Sequence, residues 1–313
     1  MDLISIIVPC YNEEESLPLF FDKICRVLEK MLNIDYELIF IDDGSNDSTL
    51  YLLKNFSLES DKSRYISFSR NFGKEAAMYA GLRESKGDYV SIMDADLQHP
   101  PELLPEMYQA LKDENFDCAC AVRKDRTGEA KIRSYLSTKF YAIINRISKT
   151  KTMDGAGDYR MMCRIMADSV IQFKEYNRYS KGLFAFVGFK TKWIPYHNTP
   201  RAAGNTKWSF SSLFRYAMDG TISFSSAPLV LSSYCGIIFC IIAIVMAVYT
   251  AFKTLIFGNP TSGWTTLVCI LLLIGGLQML FIGIVGQYIS KTYLEVKQRP
   301  IYIVKETNIN PSQ

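Results

Sequence analysis

The sequence predicts an α/β protein: a doubly wound domain with a mostly parallel central sheet, then interfacial helices and two apolar helices toward the C-terminal end. Three observations carry this. Short apolar runs alternate with segments of helical apolar spacing through about the first hundred residues. Three of those runs end in polar clusters, PCYNEE, DDGSND and DADLQH. Two long apolar windows, Pro228 to Phe252 and Leu267 to Ile289, lie side by side late in the chain, the first of them without a charge.

Taken in order, Leu3 to Pro9 reads as a first strand, and Glu14 to Leu32 as a helix with Leu17, Phe20, Phe21, Ile24, Val27, Leu28 and Met31 on its apolar face. Tyr36 to Ile41 is a second strand running into DDGSNDST, and a helix follows from Ser48 to about Phe56. Tyr65 to Phe68 is a third strand; NFGKEAAMYAGLRES is a loop and then a helix; Asp88 to Met93 is a fourth strand. Pro101 to Leu111 is a helix with proline near its start, where a missing N–H does no harm. Asp117 to Val122 is a further strand, and Lys192 to Tyr196 a short element in the mixed region 154–200. KIRSYLSTKFYAIINRISK alternates basic and apolar residues at helical spacing, which suits either a membrane-interface helix or a surface helix packed on the domain.

Each apolar window is long enough to cross a hydrocarbon core of about 30 Å, and KTLIFGNPTSGWT between them is turn-forming, so a transmembrane hairpin is expected. Lys291, Lys297, Arg299 and Lys305 follow the second window, whereas the connection contributes Lys253. The positive-inside rule then puts the large domain and both termini in the cytoplasm, on a multi-pass protein of the inner membrane. The chain has 313 residues, 21% charged and 49% hydrophobic, with 35 basic and 32 acidic side chains. A formal charge of +3 gives no support to nucleic-acid binding. The 8 cysteines follow neither a disulfide framework nor a zinc spacing, which fits a reducing compartment.

In an open α/β sheet, ligands bind outside the carboxyl ends of the strands, where the three polar clusters gather. Asp94 and Asp96 stand one residue apart after a strongly apolar strand. Two carboxylates sharing a small volume repel, and a hard divalent cation, Mg²⁺ or Mn²⁺, relieves this while drawing its other ligands from phosphate oxygens. Gln98 adds a neutral oxygen, and His99 reads as loop structure. Asp42 ends the second strand as a candidate acceptor for a base or ribose, with Gly44 permitting a turn and Ser45 to Thr49 a helix cap. No GxGxxG follows the first strand, which speaks against a dinucleotide fold. Tyr11 and Glu13 can border a base and ribose, and Lys74 can meet a diphosphate. Asp158 and Arg160, in GAGDYRMM, suit an acceptor site or a helix-start cap with an exposed arginine. Arg201, Lys207 and Trp208, in TPRAAGNTKWSF, suit phosphate recognition at the lipid–water boundary or plain headgroup attraction.

Together PCYNEE, DDGSNDST, FSRNFGKEAAMYAG, DADLQHPPE, GAGDYR and RAAGNTKWS, followed by the apolar windows, resemble glycosyltransferase family 2, in particular its polyprenyl-phosphate sugar transferases. The resemblance implies a GT-A domain over residues 1–208, a juxtamembrane amphipathic helix at 209–227, the hairpin at 228–290 and a cytoplasmic tail at 291–313. It implies inverting transfer of a hexose, glucose first, from a UDP-sugar to undecaprenyl (polyprenyl) phosphate, by a homo-oligomer that can be tetrameric. GDP-mannose, UDP-N-acetylglucosamine or a UDP-aminoarabinose derivative are alternative donors. Asp94, Asp96, Asp158, Arg201 and Lys207 would carry the catalysis. Pro9, Tyr11, Glu13, Asp42, Lys74 and Asp94 would hold the nucleotide-sugar. Asp96 and Gln98 would hold the metal, and Arg160, Arg201, Lys207 and Trp208 would face the acceptor. A polysaccharide synthase would bring a QxxRW-like segment, which TKWSF is not, and a degenerate scaffold would lose Asp94 or Asp96.

Overall fold

A computed structural model of the chain describes residues 1–123, 156–196, 227–257 and 263–309. Its elements are β1 (Asp2–Cys10), α1 (Leu17–Leu28), β2 (Ile34–Asp42), α2 (Thr49–Glu59), β3 (Ser63–Phe68), α3 (Lys74–Glu84), β4 (Tyr89–Ile92), α4 (Leu104–Lys112), β5 (Cys118–Arg123), β6 (Ala156–Cys163), α5 (Arg164–Ile171), α6 (Ser180–Phe186), β7 (Thr191–Tyr196), α7 (Ala227–Phe257), α8 (Trp264–Val296) and β8 (Val304–Thr307). The strands form one sheet in the order β7-β5-β6-β4-β1-β2-β3-β8.

β1 is the central rail. Ile4, Ile6 and Val8 face a core shared with α1, α2 and α4, while Ile7 faces a second core with α3 and α5. A strand covered on both faces reads as a near-continuous apolar run, as this one does with Ser5 its one polar interruption between Leu3 and Pro9. α3 lies so close that a Cβ on Gly81 would stand 2.2 Å from Ile7 Cγ2, so only glycine fits there.

The structure corrects several expectations. The sheet is mixed: β1 pairs in parallel with β2 and β4, but β6 runs antiparallel between β4 and β5, and β8 antiparallel along β3. The stretch GAGDYRMM, read as an acceptor site or a helix-start cap with an exposed arginine, supplies most of β6.

The C-terminal two-helix transmembrane hairpin is also overturned. Among the described residues one helical segment, Leu273–Val296 in α8, is long and apolar enough to cross a membrane. In α7 the apolar stretch is Tyr234–Met246, which at 1.5 Å per residue reaches about 20 Å. That falls short of a hydrocarbon core of about 30 Å. The multi-pass localisation, with both termini placed by two crossings, falls with the hairpin.

Finally, the tail does not simply trail away. After α8 the chain returns to the sheet as β8, where Tyr302 stacks on Phe68 (4.9 Å between centroids, 17°) and Lys54 meets Glu306 at 2.9 Å.

Candidate active site

The site is built where β4 ends and β6 begins. In their antiparallel ladder Ile92, the last residue of β4, faces Arg160, so the chain leaves β4 toward Asp94 at the same end from which Asp158 enters β6. Two carboxylates brought to one small volume repel each other. Lys74 resolves the conflict, with Nζ 2.6 Å from Asp94 Oδ1 and 2.7 Å from Asp158 Oδ2. It is the first residue of α3, where a cation opposes the helix dipole, so the carboxylates rather than the helix favour its charge there. Burial pulls the lysine pKa down, but Asp158 and Asp94 outweigh that and hold it above the ordinary range. Burial likewise pushes the Asp158 carboxyl up, and Lys74, Lys181 and Arg160 overcome it, holding it well below the usual carboxylate range. Asp158 Oδ1 is buried without a hydrogen-bond partner.

Two strand-end loops lock Lys74 in position. The Asp43 carboxylate accepts from the N–H of Phe72 (2.6 Å) and of Gly73 (2.9 Å), immediately before α3. Gly44 has φ +68°, and a Cβ there would stand 2.4 Å from the Arg70 carbonyl carbon, so this turn requires glycine. Burial pushes the Asp43 carboxyl up to about 6 against the pull of those two amides. Asp42 is buried, accepting from Ser67 Oγ at 2.7 Å and from the Ser45 N–H at 3.0 Å. It braces the turn, and the neighbouring Asp43 is the group that reaches the α3 loop.

The DADLQH loop turns on itself, with the Gln98 N–H donating to Asp96 Oδ1 at 3.1 Å and Leu97 in the left-handed region at φ 57°. Gln98 Oε1 accepts from Arg123 Nη2 at 3.4 Å, and Arg123 Nε donates to the Tyr196 hydroxyl at 3.2 Å. His99 is buried between Tyr159 and Tyr196 (5.3 and 5.8 Å), and Nδ1 lies 3.9 Å from Asp94 Oδ2. Burial lowers its pKa, so a neutral ring packs beneath Asp94. In the first loop Asn12 also has positive φ (52°), its N–H donates to Ser45 Oγ, and Glu13 Oε2 accepts from Ser16 Oγ at 2.6 Å. Pro9, Tyr11 and Glu13 are half-buried along this edge.

Arg160 is 5% exposed rather than presented on the surface. Its Nη2 donates to the Gly157 carbonyl at 2.9 Å and its guanidinium lies over the Phe184 ring at 3.8 Å. Arg201, Lys207 and Trp208 lie outside the described residues. The structure therefore brings Lys74, Asp94 and Asp158 into contact, with Asp96 and Gln98 in the adjoining loop. Sequence reasoning passed over Asp43, Arg123 and Lys181. The doubled aspartate before glycine and the arginine ending an apolar strand were readable signals for the first two; Lys181 had none.

Among the described residues no three His, Cys, Asp or Glu side chains converge as a metal cage. Asp96 and Gln98 offer hard oxygen donors that suit Mg²⁺ or Mn²⁺ when most ligands come from phosphate and water.

An α/β sheet whose carboxyl edge gathers convergent carboxylates and an embedded lysine presents its ligand-binding chemistry at that edge. The chain belongs to glycosyl transferase family 2, whose sequence model matches residues 5–171. It is 43% identical over 307 residues to the putative glycosyltransferase CsbB of Bacillus subtilis (strain 168), covering 98% of this chain and 92% of that one. The prophage bactoprenol glucosyl transferase homolog of Escherichia coli (strain K12) is 36% identical over 302 residues, 96% of this chain and 98% of its own. The bactoprenol glucosyl transferase of Shigella phage SfX is 35% identical over the same shares.

Proposed function

We propose that the protein transfers a hexose, glucose in the first instance, from a UDP-sugar to a membrane-held polyprenyl phosphate with inversion. The observation that carries this is the similarity to bactoprenol glucosyl transferases over 96% of the chain, a share that takes in the long apolar helices as well as the sheet. A water-soluble acceptor would leave those exposed helices without a role.

In this reading Asp96 and Gln98 would hold a divalent cation on the donor diphosphate, where it would offset charge on the leaving nucleotide. Lys74 fixes Asp94 against Asp158 and so sets the wall on which the sugar lies. A phosphate monoester has its second pKa near 6, so at neutral pH the acceptor oxygen is mostly dianionic and needs no strong base. This agrees with Asp158: a carboxyl held below its usual range is a weak proton acceptor, and its role here is to orient, through Oδ1.

The test incubates membranes carrying the protein with undecaprenyl phosphate, Mg²⁺ or Mn²⁺ and a panel of radiolabelled UDP- and GDP-sugars, followed by lipid extraction. Label from UDP-glucose is expected in the lipid phase, and Asp96→Asn is expected to remove most of it. Label in a water-soluble polymer would sink the reading.

A further inference from the structure

Resting on that transfer reading, we propose that Lys181 is a substrate-phosphate ligand, its ammonium pairing with a phosphate oxygen of the donor diphosphate or of the acceptor monoester. α6 is fixed on the sheet by two contacts that bracket this residue. Ser180 donates its N–H (3.0 Å) and its hydroxyl to Glu75 Oε2, and Glu75 directly follows Lys74. Phe184, one turn further on, lies under the Arg160 guanidinium. Residues three apart share a side of a helix, so Lys181 stands on the side that α6 turns toward β6 and its Asp158.

Lys181 is half-buried, and its charge acts on Asp158. Among the described residues no hydrogen bond or ion pair engages its ammonium: Asp158 Oδ2 is held by Lys74, and Oδ1 has no partner. Lys74 is the contrast, its ammonium already engaged by the Asp94 and Asp158 carboxylates. A phosphate arriving beside Asp94 and Asp158 meets like charge on both. It needs a cation whose donors are uncommitted, and a lysine at the rim of a partly desolvated wall supplies one as a compact point charge.

The experiment uses the full chain in detergent as wild type, Lys181→Ala and Lys181→Arg, varying UDP-glucose and undecaprenyl phosphate in turn and titrating UDP by calorimetry. Lys181→Ala is expected to raise KM about tenfold for one of the two substrates, with kcat within about threefold, and Lys181→Arg to recover most of the loss. A raised KM for the lipid with unchanged UDP affinity assigns the contact to the acceptor phosphate; a raised KM for UDP-glucose with weaker UDP binding assigns it to the diphosphate. KM values within twofold of wild type for both substrates overturn the proposal. A fall in kcat alone also overturns it, since that marks a support for Asp158. A wild type that forms no lipid-linked hexose overturns the transfer reading itself, whereas an active wild type with unmoved KM values overturns only the role of Lys181.

Discussion

At the scale of single residues the site is a problem in charge, solved by Lys74. Lys74→Met leaves Asp94 and Asp158 with no cation between them. Transfer is expected to fall at least about a hundredfold, in line with losing a preorganised charge. Adding Asp158→Asn should raise the thermal midpoint above that of Lys74→Met alone, because it removes the repulsion; a further drop would refute that repulsion. Asp43 makes a pH prediction of known sign. Its folded pKa of about 6 lies above the unfolded value, so ionised Asp43 opposes folding. That penalty is absent below about pH 4, grows toward pH 6 and is complete above it. The midpoint of Asp43→Asn relative to wild type should therefore improve between pH 4.5 and 7.5. Asp158 has the opposite sign: its contribution is complete above the unfolded carboxylate pKa and is lost as pH falls below it. Asp94 was legible from sequence because an apolar strand delivers it. The use of Asp43 rather than Asp42 on the α3 loop was not, since adjacent aspartates are told apart only by which one the turn at Gly44 points at Phe72 and Gly73.

At the scale of elements, the regions of β1 to β5 were legible because central strands announce themselves by apolar runs and polar ends. β6 was not, since both its faces meet neighbours and it carries Asp158 and Arg160 on one of them. Its direction also decides the site: only an antiparallel strand brings its first residues to the edge where β4 brings its last. β8, four residues with lysine and glutamate among them, is a strand by virtue of what it pairs with. The stack of Tyr302 on Phe68 should be a main holding point. Tyr302→Ala is expected to lower stability by about 2 kcal/mol in denaturant unfolding. An unchanged midpoint would mean that β8 is held by its ladder alone.

At the scale of the whole molecule, α8 joins two environments. Its Leu273–Val296 segment is apolar and exposed, and its far end is tied to the domain where Glu295 accepts from the N–H groups of Tyr176 (3.0 Å) and Asn177 (3.2 Å). A charge in mid-segment costs about 2.5–3.5 kcal/mol on insertion scales. Ile282→Lys should accordingly lower the share of protein retained in alkali-washed membranes, whereas Leu58→Lys, also on an exposed position, should not. Equal retention would remove α8 as the anchoring element.

The pairing of β5 with β6 has one more consequence. The chain departs at Arg123 and re-enters at Ala156, which pairs with Val122, so 124–155 begins and ends between adjacent strands at one rim. A segment closed across neighbouring strands can change length for little entropy. Its two ends are therefore fixed by one strand pair, and a segment of another length can be spliced between Arg123 and Ala156 with the β5–β6 ladder kept.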